Sequence, residues 1–134
     1  KLGVLAVDIG GGTADLSIYL DGTAWHTAVV PMGGEYLTHD VALGLRAPIE
    51  TAEQLKIQYG SALVNRVSPT ERVSVQGFGD GGEYVVNRQN LAIILQARAE
   101  EILEFIWKQV KQMGYDGILT AGVVLTGGTV QLDG

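Results

Sequence analysis

Gly10, Gly11 and Gly12 stand in a row between two stretches that each read as a β-strand, and this constrains the fold more than any other feature. Before them, Gly3 to Asp8 (Gly-Val-Leu-Ala-Val-Asp) is a short apolar run with β-branched residues that stops at an acid. Its length and composition predict a buried strand rather than a helix. After them, Thr13 to Leu20 alternates apolar and polar residues, as a strand with one buried face must, and ends at Asp21-Gly22, the dipeptide favoured in two-residue hairpin turns. Thr23 to Met32, with Trp25, Val29 and Val30, predicts a third strand antiparallel to the second, closed by Pro31 and Gly33-Gly34. A three-strand meander with an all-glycine turn is expected.

The remaining elements alternate helix and strand. Leu37, Val41, Ala42 and Leu45 recur at helical spacing, with Thr38 or Glu35 available to cap the start. A second helix is predicted from Ile49 or Thr51 to Tyr59, stopped by Gly60. Arg72 to Phe78 alternates, Gly79 to Gly82 turns, and Glu83 to Val86 returns as a hairpin. Asn90 to Met113 is the longest helical signal, with Leu91, Leu95, Ala99, Ile102, Ile106 and Val110 along one stripe and Gly114 ending it. Ala121 to Leu125 is a second buried-strand pattern, running into Thr126-Gly127-Gly128-Thr129.

Composition narrows the function classes. The chain has 134 residues, and its 19 glycines are about twice the average share. With no cysteine it holds neither a disulfide framework nor a thiolate metal site. Fifteen acids against nine Lys and Arg argue against a nucleic-acid binder, which needs clustered cations for the phosphates. Apolar runs fall short of the roughly 18 residues of a membrane span, and the first residues lack a signal-peptide layout. These features predict a soluble chain, sized for one core. It opens on a buried strand and stops after a glycine turn, which leads us to expect an excised part of a larger protein.

The glycine turn is the strongest candidate site. Consecutive glycines let the backbone approach an anion and aim N–H groups at it, a nest suited to phosphate oxygens. Thr13 adds a hydroxyl beside it. Asp8, at the strand end, is placed to hold a hydrated Mg²⁺ through its waters. The plain alternative is a glycine-rich hairpin. No Gly-Lys-Ser/Thr follows, and the next element is a strand, so neither a Walker loop nor a Rossmann turn fits. Gly127, Gly128 and Thr129 mark a second glycine turn, able to admit the flat face of a base or simply to join strand to helix. Glu53 and Lys56, three apart, project from one helix face. The carboxylate is suited to two ribose hydroxyls and the Lys stem to a base, although an exposed acid–base pair is also an ordinary solvated feature. His26 and His39 have no partner at metal spacing and are read as structural, as is Asp40.

In order, the motifs are strand–Asp-Ile-Gly-Gly-Gly-Thr–hairpin, Gly-Gly-x-x-Leu-Thr–helix, Ala-Glu-x-x-Lys helix, hairpin, long helix, and strand–Leu-Thr-Gly-Gly-Thr. This resembles the second half of the actin-like ATPases, and within them the FtsA family of bacterial division proteins. The runs Asp8 to Tyr19, His26 to Pro31, Leu37 to Ala42, Gly44-Leu45-Arg46-Ala47-Pro48, Arg88 to Leu91 and Gly122 to Gly128 carry the likeness. The resemblance implies an α/β, actin-like (ribonuclease H-like) lobe: a mixed sheet with flanking helices, residues 1–32 and 90–134, and a smaller inserted α+β subdomain, residues 33–89. It implies ATP and Mg²⁺ as ligands. Gly10, Gly11, Gly12 and Thr13 would be the second phosphate loop and Asp8 the water-mediated Mg²⁺ partner. Glu53 and Lys56 would meet ribose and base, and Gly127, Gly128 and Thr129 the adenine. It further implies self-association into filaments, binding of the acidic FtsZ tail near Arg88 and Arg98, and a cytoplasmic location at the membrane of the division site. Membrane attachment would use a segment outside this chain. Arg88 and Arg98 also read as ordinary helix-face residues. A kinase or phosphatase of the same superfamily, or a pilus-assembly relative, is the alternative.

Overall fold

The structure is a computed structural model that describes residues 3–79 and 82–114 and the backbone of a strand at 122–126. In chain order its elements are β1 (Gly3–Ile9), β2 (Ala14–Leu20), β3 (Thr23–Val30), α1 (Gly34–Leu45), α2 (Ile49–Tyr59), β4 (Arg72–Gln76), β5 (Glu83–Asn87), α3 (Arg88–Gln112) and β6 (Gly122–Thr126), with one short 3-10 turn at Val64–Arg66. They divide into two compact units. One comprises residues 3–34, 101–114 and β6; the other comprises residues 35–100.

In the first unit, β1 and β2 pair antiparallel from Gly3↔Leu20 to Ile9↔Ala14, so residues 10–13 alone make the turn. β3 continues the meander across Asp21 and Gly22, whose φ angles of 52° and 84° are the left-handed pair that such a hairpin turn requires. β6 lies parallel to β1 on its other side, from Val4↔Gly122 to Asp8↔Thr126. The described order is β3-β2-β1-β6, a mixed sheet. Its buried face carries Leu5, Val7 and Ile9 from β1 and Leu16 and Ile18 from β2. Ile102, Ile106 and Val110 of α3 cover it at helical spacing. β3 is mostly exposed, with Trp25 at 58% and Val29 at 65% and only Val30 buried. The register explains part of this: Ile18 faces His26 while Tyr19 faces Ala24, so Trp25 is the extra residue of a bulge.

The second unit packs Leu37, Val41 and Leu45 of α1, Ala52 and Leu55 of α2, Val73 and Val75 of β4 and Leu91 and Leu95 of α3 into one core. β4 and β5 form the expected hairpin, Arg72↔Asn87 to Gln76↔Glu83. A Cβ on Gly44 would stand 2.6 Å from Ile94 Cδ1, which shows how closely α1 approaches α3. α1 ends with Arg46 in the left-handed region at φ 54° and the Ala47 N–H donating to the Ala42 carbonyl at 3.0 Å. This is a Schellman ending with arginine where glycine is usual, at a backbone cost of about 1 kcal/mol. The Tyr84 hydroxyl donates to the Leu45 carbonyl there. Pro48 opens α2 without a side-chain cap, and the Gly60 N–H closes it on the Lys56 carbonyl. Thr38 does not cap α1 as expected: the helix begins at Gly34, placing Thr38 one turn inside.

Candidate functional site

The glycine turn is held from within and from behind. The Gly10 N–H donates to the Thr13 carbonyl at 2.9 Å, and the Gly10 carbonyl accepts from the Gly34 N–H at 2.8 Å. Gly33 lies against the same backbone: a Cβ there would meet Gly10 O at 2.5 Å, Gly11 O at 2.6 Å and Gly11 C at 2.8 Å. In the sequence, Gly33 and Gly34 end β3 and open the Gly-Gly-x-x-Leu-Thr–helix motif. Their signal was a Gly-Gly pair, but its partner is a loop more than twenty residues earlier. Gly10 has more room, since its Cβ would meet nothing nearer than Thr13 O at 3.6 Å. Gly11, Gly12 and Thr13 are exposed. The turn therefore presents accessible backbone on a braced support. β1 and β6 are parallel and reach the same sheet edge, Asp8 opposite Thr126. The carboxyl ends of parallel strands are where open α/β sheets bind ligands.

Asp8 sits directly across from Asp15 in the β1–β2 pair, and both are exposed. Facing residues of an antiparallel pair have Cβ atoms roughly 4.5–5.5 Å apart, and like charges there repel. Two carboxylates beside an exposed backbone turn form a donor set of the kind Mg²⁺ accepts, since that ion takes one or two carboxylates and keeps several waters. Asp15 is the member that motif reading left without a role. Among the described residues no group of three or more metal-binding side chains forms, so a closed protein cage for a metal is not what these residues build.

In the second unit, Glu53 and Lys56 are joined as their spacing predicts, Nζ to Oε2 at 3.1 Å. The same Oε2 also accepts from the Thr38 hydroxyl. Burial pushes the Glu53 carboxyl up, but the Thr38 hydroxyl and the Lys56 hydrogen bond and charge together outweigh it and hold the group below its ordinary value. The result is an ionised carboxylate tied at one oxygen, beside a mostly buried lysine stem.

Arg98 is engaged within its own unit. Its Nε and Nη2 donate to both Asp40 carboxylate oxygens, at 2.6 and 3.1 Å, and its guanidinium lies over the Tyr36 ring at 5.4 Å. Arg88 donates from Nη1 to both Glu71 oxygens at 3.1 Å and from Nε to the Tyr59 carbonyl at 2.8 Å, which caps the end of α2. Both arginines thus hold structure, and an acidic ligand would compete with Asp40 and Glu71. His26 and His39 are exposed. Gly127, Gly128 and Thr129 lie outside the described residues.

A family model described as cell division protein FtsA matches residues 5–134. The chain belongs to the FtsA family. FtsA of Pseudomonas aeruginosa is 40% identical over 134 residues, covering 100% of this chain and 32% of that protein. The chain thus spans about a third of the length of this curated FtsA relative. MreB5 of Spiroplasma citri bound to ADP superposes with a TM-score of 0.75 at 20% identity, over 98% of this chain and 44% of that one. A MamK double helical filament gives 0.72 at 21% identity, over 98% and 43%. At those identities the two structures establish the fold, which is that of the actin-like proteins. Among the described residues of this FtsA-family chain, no helix is long and apolar enough to cross a membrane.

Proposed function

We propose that the chain supplies part of the ATP-binding apparatus of an FtsA-type division protein. The observation that carries this is the braced, exposed turn of Gly10 to Thr13 at the carboxyl end of β1, with Asp8 and Asp15 facing each other beside it. The N–H groups of Gly11 and Gly12 and the Thr13 hydroxyl take phosphate oxygens. Asp8, with Asp15, holds Mg²⁺ through its water shell, and the ion supplies charge neutralisation for the phosphates. Glu53 accepts from the ribose hydroxyls while the Lys56 stem lies along the base. Gly127, Gly128 and Thr129 flank the adenine. The MreB5 relative carries ADP, and the MamK relative forms a filament, which supports nucleotide binding and self-association here.

The same reading makes the larger protein a cytoplasmic link between the FtsZ ring and the membrane at the division site. The acidic FtsZ tail docks on the second unit, exchanging with Asp40 at Arg98 and with Glu71 at Arg88. Calorimetric titration of the full-length protein with ATP tests the nucleotide assignment. Saturable, Mg²⁺-dependent binding is expected, and it is abolished by Gly11→Val, which fills the phosphate space. ATP affinity unchanged in that variant removes the loop from the site.

A further inference from the structure

Thr38 is a polar residue where the helix pattern calls for an apolar one. It shares the inward stripe of α1 with Val41 and Leu45, yet carries a hydroxyl at 4% exposure. Buried polar residues are the informative exceptions in a core, and threonine inside a helix gains nothing from propensity. Its hydroxyl donates to Glu53 Oε2, fifteen residues away on the next helix. Too buried for a ligand to reach, it acts through Glu53. With Thr38 and Lys56 both on Oε2, the carboxylate has a defined rotation, and its side chain stays 44% exposed.

We infer that Thr38 is a positioning residue that fixes the Glu53 carboxylate for a vicinal diol, and so makes the site select ribonucleotides over 2′-deoxyribonucleotides. This rests on the nucleotide reading above. A carboxylate free to turn toward Lys56 and water meets a diol in many orientations and gains little from its second hydroxyl. One pinned by a buried donor offers its outer lone pairs to both hydroxyls at once. The hydroxyl of Thr38 pre-arranges this before any ligand arrives, which lowers the ordering cost of binding.

The test compares ATP with 2′-deoxy-ATP, both with Mg²⁺, by calorimetric titration of the full-length protein. Wild type is expected to favour ATP by on the order of tenfold, the yield of a hydrogen bond to a charged acceptor. Thr38→Val, close in shape but without the hydroxyl, brings that ratio to within about threefold of unity while leaving 2′-deoxy-ATP affinity nearly unchanged; Thr38→Ser restores it. Should the valine variant fail to fold, Thr38→Ala removes the same hydroxyl and is expected to behave alike. A folded valine or alanine variant that keeps the wild-type ratio overturns the inference but leaves the nucleotide reading intact. Wild type that binds neither nucleotide overturns both, and wild type that binds the two equally overturns only the diol selection.

Discussion

Gly33→Ala should cost far more than a surface glycine-to-alanine change. Gly33 does not have a left-handed φ, so its backbone tolerates alanine and the effect is steric alone. The new methyl would stand 2.5 Å from Gly10 O, 2.6 Å from Gly11 O and 2.8 Å from Gly11 C. Carbon atoms settle at about 3.5–4.0 Å from their neighbours, so backbone must move by roughly 1 Å. All three atoms belong to the main chain, and no side chain can swing aside. Overpacking of this kind costs about 1–3 kcal/mol. The displaced turn also strains the 2.8 Å bond from Gly34 N–H to Gly10 O, worth about 1 kcal/mol more. A total of about 2–4 kcal/mol is a large part of the 5–15 kcal/mol that holds a typical domain together. Gly10→Ala is the control. Its methyl meets only Thr13 O at 3.6 Å, an ordinary contact, so its stability should stay within about 0.5 kcal/mol of wild type. Urea unfolding followed by circular dichroism reads both, with a fall in midpoint of about 1 M or more expected for Gly33→Ala. Equal midpoints for Gly33→Ala and wild type, or a Gly10→Ala variant damaged as badly, would refute the idea that Gly33 braces the turn.

Two further outcomes follow from the second unit. Glu53 has a folded-state pKa below its unfolded value, so it contributes stability above the unfolded value near 4.3, and that contribution is lost as pH falls through the folded pKa. Thermal midpoints of wild type and Glu53→Gln should differ by a constant amount from neutral pH to about 5 and converge below it; with the side chain 44% exposed the gap is small, and one that widens on acidification contradicts the assignment. For Arg98 and Asp40, with side chains at 23% and 25% exposure and both carboxylate oxygens engaged, a double-mutant cycle should give a coupling of about 1–2 kcal/mol, above the 0.2–1 of an exposed pair. Additive single mutants would reduce the pair to a surface contact.

Local signals were readable and distant ones were not. Asp21-Gly22 announced its turn because left-handed φ angles are written in those two residues. The stripe from Leu91 to Val110 announced α3 because a period of 3.6 survives in one dimension. Glu53 and Lys56 were legible for the same reason, being three apart on a helix. Thr38 reads as one of two capping candidates, with Glu35, because nothing in the string shows that Glu53 will stand beside it. Arg98 reads in the string as a tail-binding cation or an ordinary helix-face residue, because Asp40 is fifty-eight residues away. The need for Gly33 against the turn is invisible in the string, because a clash with a missing methyl exists only once the chain has folded. Asp15 has no signal of its own in the string, since its meaning comes from register, which places it opposite Asp8.

β1 has a neighbour on each side, β2 and β6, and the glycine turn hangs from its end. The consequence is one of time. Amides in a strand bonded on both flanks open only with the whole unit and exchange their hydrogens slowly, while those of an exposed turn exchange almost as in a free peptide. Fast and slow clocks thus sit within a few residues of each other. The anchor keeps its pace when a ligand arrives, and the N–H groups of Gly11 and Gly12 slow down only if something takes hold of them.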